Sequence, residues 1–181
     1  KWVPIVPVDQ VELFEKKLPE VVPTAFIKEK SPHMFWQKAA KRALYYPVQY
    51  IHPLVGNEED IGFDVGSEYT QRDALLMSKA LNELVITKPV QHIRYGHVVL
   101  FYMPVFGDLD TLDDYKGHVV SVVSLAEFVG RLRFKHNEQL SANFYDVTDN
   151  TKDIIYNESP VGLNTLINYQ YTTKFGGAIG N

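Results

Sequence analysis

The sequence predicts an α+β fold built from antiparallel sheets. Runs rich in Val, Ile, Phe and Tyr that end in turn residues are typical of strands, and three of them occupy 84–93, 97–106 and 118–125. A helical pattern of apolar residues precedes these strands, with Ala74, Met77, Leu81 and Leu84 at three- and four-residue steps. Two more strand patterns, 141–148 and 152–157, follow residue 134 and predict a second, smaller sheet. A sheet covered by a helix leaves a concave space that suits a small molecule.

The N-terminal segment combines an extended arm with a predicted helix. Alternating Val and Pro at 2–8 favour an edge strand, which could join either sheet, because proline cannot donate to a sheet ladder. Asp9 then predicts a helix N-cap with Glu12 as its capping-box partner. One apolar stripe follows at helical spacing, formed by Val11, Phe14, Leu18 and Val21. Pro23 ends this helix.

The remaining elements follow from local patterns. We predict strands at 24–29, 45–54 and 167–175, a basic loop at 30–41 and a short helix at 125–132. Residues 94–96 are short enough for a hairpin loop, and 108–116 form a longer solvated loop. Ser67 or Thr70 could cap the central helix, with Asp73 placed as the partner of Thr70.

Composition excludes several classes of protein. The chain has 181 residues and no cysteine, which excludes disulfides and thiolate chemistry. Its net charge of −4 lacks the basic surplus that is typical of nucleic-acid-binding proteins. No run reaches the length of apolar residues that a membrane span needs. The chain opens on Lys1 and Trp2 rather than on Met, so we expect an excised piece of a longer protein.

Catalytic motifs are scarce. No lipase, zinc-protease, phosphate-loop or dinucleotide signature is found. Three histidines in or beside neighbouring strands, His92, His97 and His118, could converge on a metal, or could be half-exposed strand residues. Asp64 and Glu68 have a spacing compatible with an acid/base pair, whereas the alternative is that Asp64 satisfies loop backbone near a helix start. Tyr45, Tyr46, Tyr50 and Tyr102 could be core residues or could line a pocket.

Several motifs together resemble the CHASE domain. They are the opening WVPIV, the run YYPVQYIHPLVGNEEDIGFDVGSE, the helix with Arg72, and then VITKPV, LFYMPVF and FYDVTD. The resemblance covers residues 2–149. It implies an extracytoplasmic sensor of a transmembrane receptor, periplasmic or extracellular, attached to an inner or plasma membrane by flanking transmembrane helices. The output is expected to be a histidine kinase or a cyclic-di-GMP enzyme, namely a diguanylate cyclase or a phosphodiesterase.

The resemblance also implies two PAS-like subdomains, with the N-terminal stalk helix truncated here. Residues 1–23 would be an N-terminal arm and helix, 24–130 the membrane-distal subdomain, and 131–181, with the arm, the membrane-proximal one. A homodimer is expected in the full receptor.

We expect a small-molecule ligand over the sheet of the distal subdomain, with no catalysis, cofactor or metal. The expected contacts are Tyr50, His52, Phe63, Asp64, Thr87 and Tyr102. Tyr50 and His52 would face one side of a strand, and His52 would make binding sensitive to pH near neutrality. Two alternatives stay open: a ligand-free module for dimerisation and signal relay, and a small hydrolase or lyase that uses Asp64 and a histidine.

Overall fold

The computed structural model of the chain describes residues 1–92, 94–107, 114–132, 142–146 and 153–158. The described chain has mixed α and β structure with antiparallel strand pairs, as the sequence predicts. Two compact units are present, Lys1–Val85 with Phe101–Ser121 and Ile86–Leu100 with Val122–Asn181. No helix in the described ranges combines the length and apolar character needed to cross a bilayer.

The N-terminal arm forms strand β1 (Trp2–Pro4), followed by β2 (Val6–Pro7). Helix α1 covers only Val11–Glu15, between 3-10 turns at Val8–Gln10 and Leu18–Glu20. The predicted helix from Asp9 through Val21 is therefore wrong in length, and Asp9 is exposed and is not the N-cap of either described helical turn there, whose N-caps are Pro7 and Gln10. The physical reason is Pro19, which has no N–H to donate to the carbonyl one turn earlier.

A short hairpin and a more distant strand pair follow. Strands β3 (Lys28–Lys30) and β4 (Trp36–Lys38) pair antiparallel, so the predicted strand at 24–29 is shorter and the predicted loop at 30–41 contains a strand. Strand β5 (Leu44–Tyr45) pairs with β2.

The predicted strand at 45–54 is wrong beyond its first residue. Beyond β5 the chain makes isolated backbone bonds to two segments. Val48 N donates to Phe63 O at 2.9 Å, and Gln49 N donates to Trp2 O at 3.0 Å. Pro47 and Pro53 lack the N–H groups that a ladder needs, so pairing is interrupted. His52 consequently lies outside any strand, and the argument that Tyr50 and His52 share one strand face does not hold.

After 3-10 turns at Glu58–Asp60 and Val65–Ser67, helix α2 runs over Tyr69–Leu81, close to its predicted range. Ala74, Leu75 and Ser78 form its buried face. Asn82 ends the helix in the left-handed conformation at φ 52°.

The predicted strand at 84–93 is split into β6 (Val85–Ile86) and β7 (Val90–His92), because Pro89 interrupts it. Long strands β8 (Gly96–Phe106) and β9 (Tyr115–Ser124) confirm the next two predictions. The sheet order is β1-β9-β8-β6, and β7 also pairs with β8. The arm therefore joins this five-stranded sheet as an edge strand, with Trp2 opposite Val119.

The C-terminal elements agree with the sequence as far as they are described. Helix α3 spans Leu125–Leu132. Strands β10 (Ala142–Asp146) and β11 (Asp153–Glu158) pair antiparallel in a separate two-stranded sheet. The predicted strand at 167–175 lies outside the described residues.

Candidate functional site

Asp64 is the centre of a buried polar network in the first unit. Its side chain is fully buried, and Oδ1 accepts hydrogen bonds from the N–H of Tyr46 at 2.8 Å and of Gly66 at 3.2 Å. Its Oδ2 is paired with Nη1 of Arg42 at 2.8 Å, and the other terminal nitrogen of Arg42 is paired with Glu29. The Asp64 carboxylate thus bonds backbone N–H groups and one arginine. This is the alternative to an acid/base role that the sequence left open.

Two opposing influences act on the Asp64 carboxyl. Burial raises its pKa above the ordinary value, while the Tyr46 N–H, the Arg42 guanidinium and the Gly66 N–H lower it, and burial prevails. An acid/base role would require this carboxyl to leave its partners.

Helix α2 is held at its N-terminus and against strand β8 by specific hydrogen bonds. Its N-cap is Glu68, whose carboxylate accepts from Thr70 N at 3.0 Å and Gln71 N at 2.9 Å, so the predicted cap at Ser67 or Thr70 is wrong. The buried Tyr102 hydroxyl donates to Gln71 Oε1 at 2.8 Å, and Ser78 Oγ donates to the Tyr102 carbonyl at 2.8 Å. Tyr102 therefore fastens strand β8 to helix α2.

The other predicted ligand contacts divide into buried and exposed residues. Phe63 is buried against the edge of Trp36, at 5.4 Å between ring centroids. In the second unit, Thr87 is buried and exchanges two bonds with Leu100, one of them from Leu100 N to Thr87 Oγ1 at 3.0 Å. Tyr50 is 52% exposed and His52 is exposed. Phe63 and Asp64 are neighbours in the core. Ligand contact by any of the six predicted residues stays a prediction.

A cleft of about 290 Å³ opens at the surface directly beside this network. Its walls come from β5 and the residues on either side of it, the turn before α2 and the first turns of α2. The lining residues are Arg42, Leu44, Tyr46, Gly66, Ser67, Arg72 and Leu76. Asp64 lies behind this wall and fixes it, because it bonds the backbone of Tyr46 and of Gly66.

The two arginines of the cleft differ in their partners. Arg42 is already bound to two carboxylates. Arg72 is exposed and lies over the Tyr69 ring at 5.6 Å, and it forms no ion pair with any residue that the structure describes. An anionic group in the cleft would therefore find Arg72 available.

Sequence reasoning did not assign Arg42, Gly66 or Arg72 to a site. Gly66 carried a readable signal, since a glycine between buried Val65 and polar Ser67 suggests close packing. A Cβ at Gly66 would lie 2.9 Å from the Tyr46 ring, so the cleft wall requires this glycine. The pairing of Arg42 with Asp64 spans 22 residues and has no local signature.

A second buried polar pair joins Tyr115 and His118 on β9, with 2.6 Å between the hydroxyl and Nδ1. His118 Nε2 is buried without a hydrogen-bond partner in the described chain. Burial, with a smaller effect of Lys79, lowers the His118 pKa to about 4, so the imidazole is neutral at neutral pH. Within the described ranges, no three His, Asp or Glu side chains are grouped to hold a metal ion.

Comparison with known proteins identifies the family. The CHASE domain model matches residues 1–156. The chain is also 30% identical, over 145 residues, to a protein of Oryza sativa subsp. japonica named probable histidine kinase 4. That match covers 73% of this chain but only 14% of the rice protein, so the chain spans a small part of its relative. Because the family match extends over most of the sequence, the chain belongs to the CHASE domain family, as the residue motifs predict.

Proposed function

We propose that this chain is the small-ligand sensor domain of a transmembrane signalling receptor. The observation that carries the proposal is the CHASE match over residues 1–156. The similarity to a protein named as a histidine kinase favours a kinase output, and a cyclic-di-GMP enzyme is the second choice. The domain would lie outside the cytoplasm, between transmembrane helices, and a homodimer of receptors would carry the signal.

The proposal extends to architecture. The two PAS-like subdomains would be residues 24–130 and 131–181, each built on its own antiparallel sheet. The separate pairing of β10 with β11 supports a second lobe.

We place the ligand in the Arg42–Arg72 cleft rather than deeper in the core. A ligand that reached the polar atoms of Asp64 or Tyr102 would have to replace hydrogen bonds of 2.8 Å that already satisfy them. The cleft, in contrast, is open to solvent, and Arg72 at its edge forms no ion pair within the described part of the chain. Its volume of 290 Å³ is near the lower end of small-molecule sites, which start at roughly 300 Å³. A small molecule with one anionic group, such as a carboxylate, fits this chemistry.

The domain is proposed to bind and not to catalyse. The carboxylate with the most suitable position for acid/base chemistry, Asp64, is buried and paired with Arg42.

The direct test is mass spectrometry of small molecules released from the purified chain, followed by thermal unfolding with a panel of small carboxylates. We expect a carboxylate to raise the unfolding temperature of the native chain and of Arg131→Gln, an exposed arginine of α3 used as control. Arg72→Gln should lose that rise while it keeps the ligand-free unfolding temperature. A rise that survives Arg72→Gln would remove the cleft from the proposal.

A ligand-free relay module is the second candidate, and one observation favours it. The outer face of α2 exposes Tyr69 at 68%, Leu76 at 46% and Leu81 at 53%. Exposed apolar residues of this kind mark interaction surfaces when they are contiguous. If no compound is retained or stabilises the chain, and Leu76→Ser and Leu81→Ser prevent self-association, the relay module replaces the sensor.

A further inference from the structure

The Tyr46 hydroxyl is a polar group of the cleft that a carboxylate bound at Arg72 leaves unused. Tyr46 is only 6% exposed, and it belongs to the lining of the cleft. Its hydroxyl makes no hydrogen bond with any residue that the structure describes. A tyrosine hydroxyl that is this deeply buried ordinarily has a hydrogen-bond partner. For Tyr46 that partner must come from outside the chain, as water or as a ligand.

The Tyr46 ring is held in place before any ligand binds. The backbone N–H of Tyr46 donates to Asp64 Oδ1 at 2.8 Å, and the ring lies against Gly66, where a Cβ would approach it to 2.9 Å. Burial, with a smaller effect of Asp64, raises the pKa of Tyr46 above its ordinary value. The hydroxyl is therefore protonated at neutral pH, and it is a preorganised hydrogen-bonding group in the cleft wall.

The other lining residues restrict the class of ligand. Arg72 supplies a cation for a carboxylate, and Leu44 and Leu76 supply apolar surface. None of the lining residues that the structure describes is acidic, and the Arg42 guanidinium is already paired with two carboxylates. An ammonium group would find no counter-charge among these residues, which disfavours amino acids as ligands.

We propose that the cleft selects a short aliphatic hydroxy or oxo acid, whose carboxylate pairs with Arg72 while the Tyr46 hydroxyl bonds the second oxygen. The aliphatic part would lie against Leu44 and Leu76. This inference rests on the proposed function, because it names the class of ligand for the same cleft.

Tyr46 is thereby the residue that determines specificity. A carboxylate without a second oxygen displaces water from the Tyr46 hydroxyl and leaves that hydroxyl unpaired. An unpaired buried hydroxyl weakens binding, so the cleft should discriminate against the unsubstituted acid.

Isothermal titration calorimetry of the purified chain tests the inference with acids of one carbon skeleton. They are α-hydroxyisocaproate, α-ketoisocaproate, unsubstituted isocaproate and leucine. We expect the hydroxy acid or the oxo acid to bind the native chain about tenfold more tightly than isocaproate, as one additional hydrogen bond contributes. Leucine should bind no more tightly than isocaproate.

The variant Tyr46→Phe isolates the hydroxyl. It keeps the ring and its contact with Gly66, and it loses no internal hydrogen bond, so the urea midpoint should stay native. The preference for the hydroxy or oxo acid over isocaproate should fall to within about twofold. Isocaproate binding should still be lost in Arg72→Gln.

The neighbouring tyrosine provides the matched control. Tyr45 is 5% exposed and is not a lining residue of the cleft, and its hydroxyl accepts the Arg42 N–H at 3.2 Å. Tyr45→Phe should therefore lower the urea midpoint and keep the native preference among the acids. The two variants thus have opposite effects on stability and on specificity.

The outcomes separate this inference from the proposed function. If carboxylates bind with dependence on Arg72 but without preference for a second oxygen, the inference is wrong and the sensor remains. A preference that survives Tyr46→Phe, or that is lost equally in Tyr45→Phe, also overturns the inference. If the native chain binds no carboxylate at all, the cleft is removed from the proposed function and the inference fails with it.

Discussion

The N-terminus of helix α2 offers a test in which the structure and the sequence pattern disagree. The structure assigns the cap to Glu68, whose two oxygens receive the N–H groups of Thr70 and Gln71. The sequence pattern instead predicts Ser67 or Thr70 as the cap, with Asp73 as the partner of Thr70. Removal of the Glu68 side chain should therefore cost stability, while truncation of Thr70 or Asp73 should not.

The magnitude follows from the two bonds and the charge. Loss of a capping side chain costs about 1 kcal/mol of unfolding free energy, within a range of about 0.5–2 kcal/mol. A carboxylate at the positive end of the helix contributes a further 0.3–1 kcal/mol or so. We expect about 2 kcal/mol for Glu68→Ala and about 1 kcal/mol for Glu68→Gln, which keeps one acceptor. For a chain of this size, 2 kcal/mol corresponds to a fall of about 4–8 °C in Tm.

Urea unfolding and amide hydrogen exchange together provide the assay. Glu68→Ala should lower the urea midpoint and speed exchange at the Thr70 and Gln71 amides. Thr70→Ala and Asp73→Ala are the controls and should stay within about 0.5 kcal/mol of the native chain. The reasoning fails if Asp73→Ala costs as much as Glu68→Ala, or if exchange at the two amides does not respond to Glu68.

Three more outcomes are expected. The pKa of His118 is about 4 in the folded chain and about 6.5 in the unfolded chain, so the unfolded chain binds the proton first as pH falls. Stability should therefore decrease as pH drops between these two values. His118→Asn should lose this part of the pH dependence, at most about 3 kcal/mol, when urea midpoints at pH 7 and pH 4.5 are compared. Tyr102→Phe and Thr87→Val should each cost about 1 kcal/mol or more in unfolding, since each hydroxyl has an internal partner; unchanged stability with lost ligand binding would instead support the predicted pocket. Gly117→Ala should destabilise the edge strand by at least about 2 kcal/mol, because φ is 145° and a Cβ would collide with the Val3 carbonyl oxygen; native exchange rates for the β1 amides would contradict this.

The elements that the sequence predicted well are long and regular. Strands β8 and β9 have many alternating or β-branched positions, and α2 and α3 have clear apolar periodicity. Each of these patterns is decided by local sequence and by burial of one face. The family motifs gave the identity for a related reason, since they extend over most of the chain.

The errors lie where proline competes with periodicity. The stripe from Val11 to Val21 has helical spacing, yet Pro19 limits the helix to Val11–Glu15. In the same way, the aromatic run from Tyr45 looked like a strand, but Pro47 and Pro53 interrupt its ladder. A hydrophobic pattern reports which residues are buried, whereas the hydrogen-bond donors decide which element buries them.

The candidate site was predictable only in part. Asp64 was recognised as a polar residue near a helix start, and its bond to Gly66 N is local enough to follow from spacing. Its bonds to Tyr46 N and Arg42 join segments 18 and 22 residues away, so no spacing rule could reveal them. The cleft depends on these distant bonds, and for that reason its lining was not found from the sequence.

The Asp64 network explains how the first unit stays ordered where regular pairing is absent. The Tyr46 N–H lies just beyond the β2–β5 pair, whose register ends at Tyr45, and Asp64 Oδ1 accepts it. Arg42 then links Asp64 to Glu29 on the β3–β4 hairpin, with a different terminal nitrogen bound to each carboxylate. A lysine has a single nitrogen and could not reach both carboxylates in this geometry. A buried ion pair contributes little net stability, but it fixes which segments meet. The side chains of Asp64, Arg42 and Glu29 therefore hold both the base of the β3–β4 hairpin and the wall of the cleft, so these two surface features depend on one polar network.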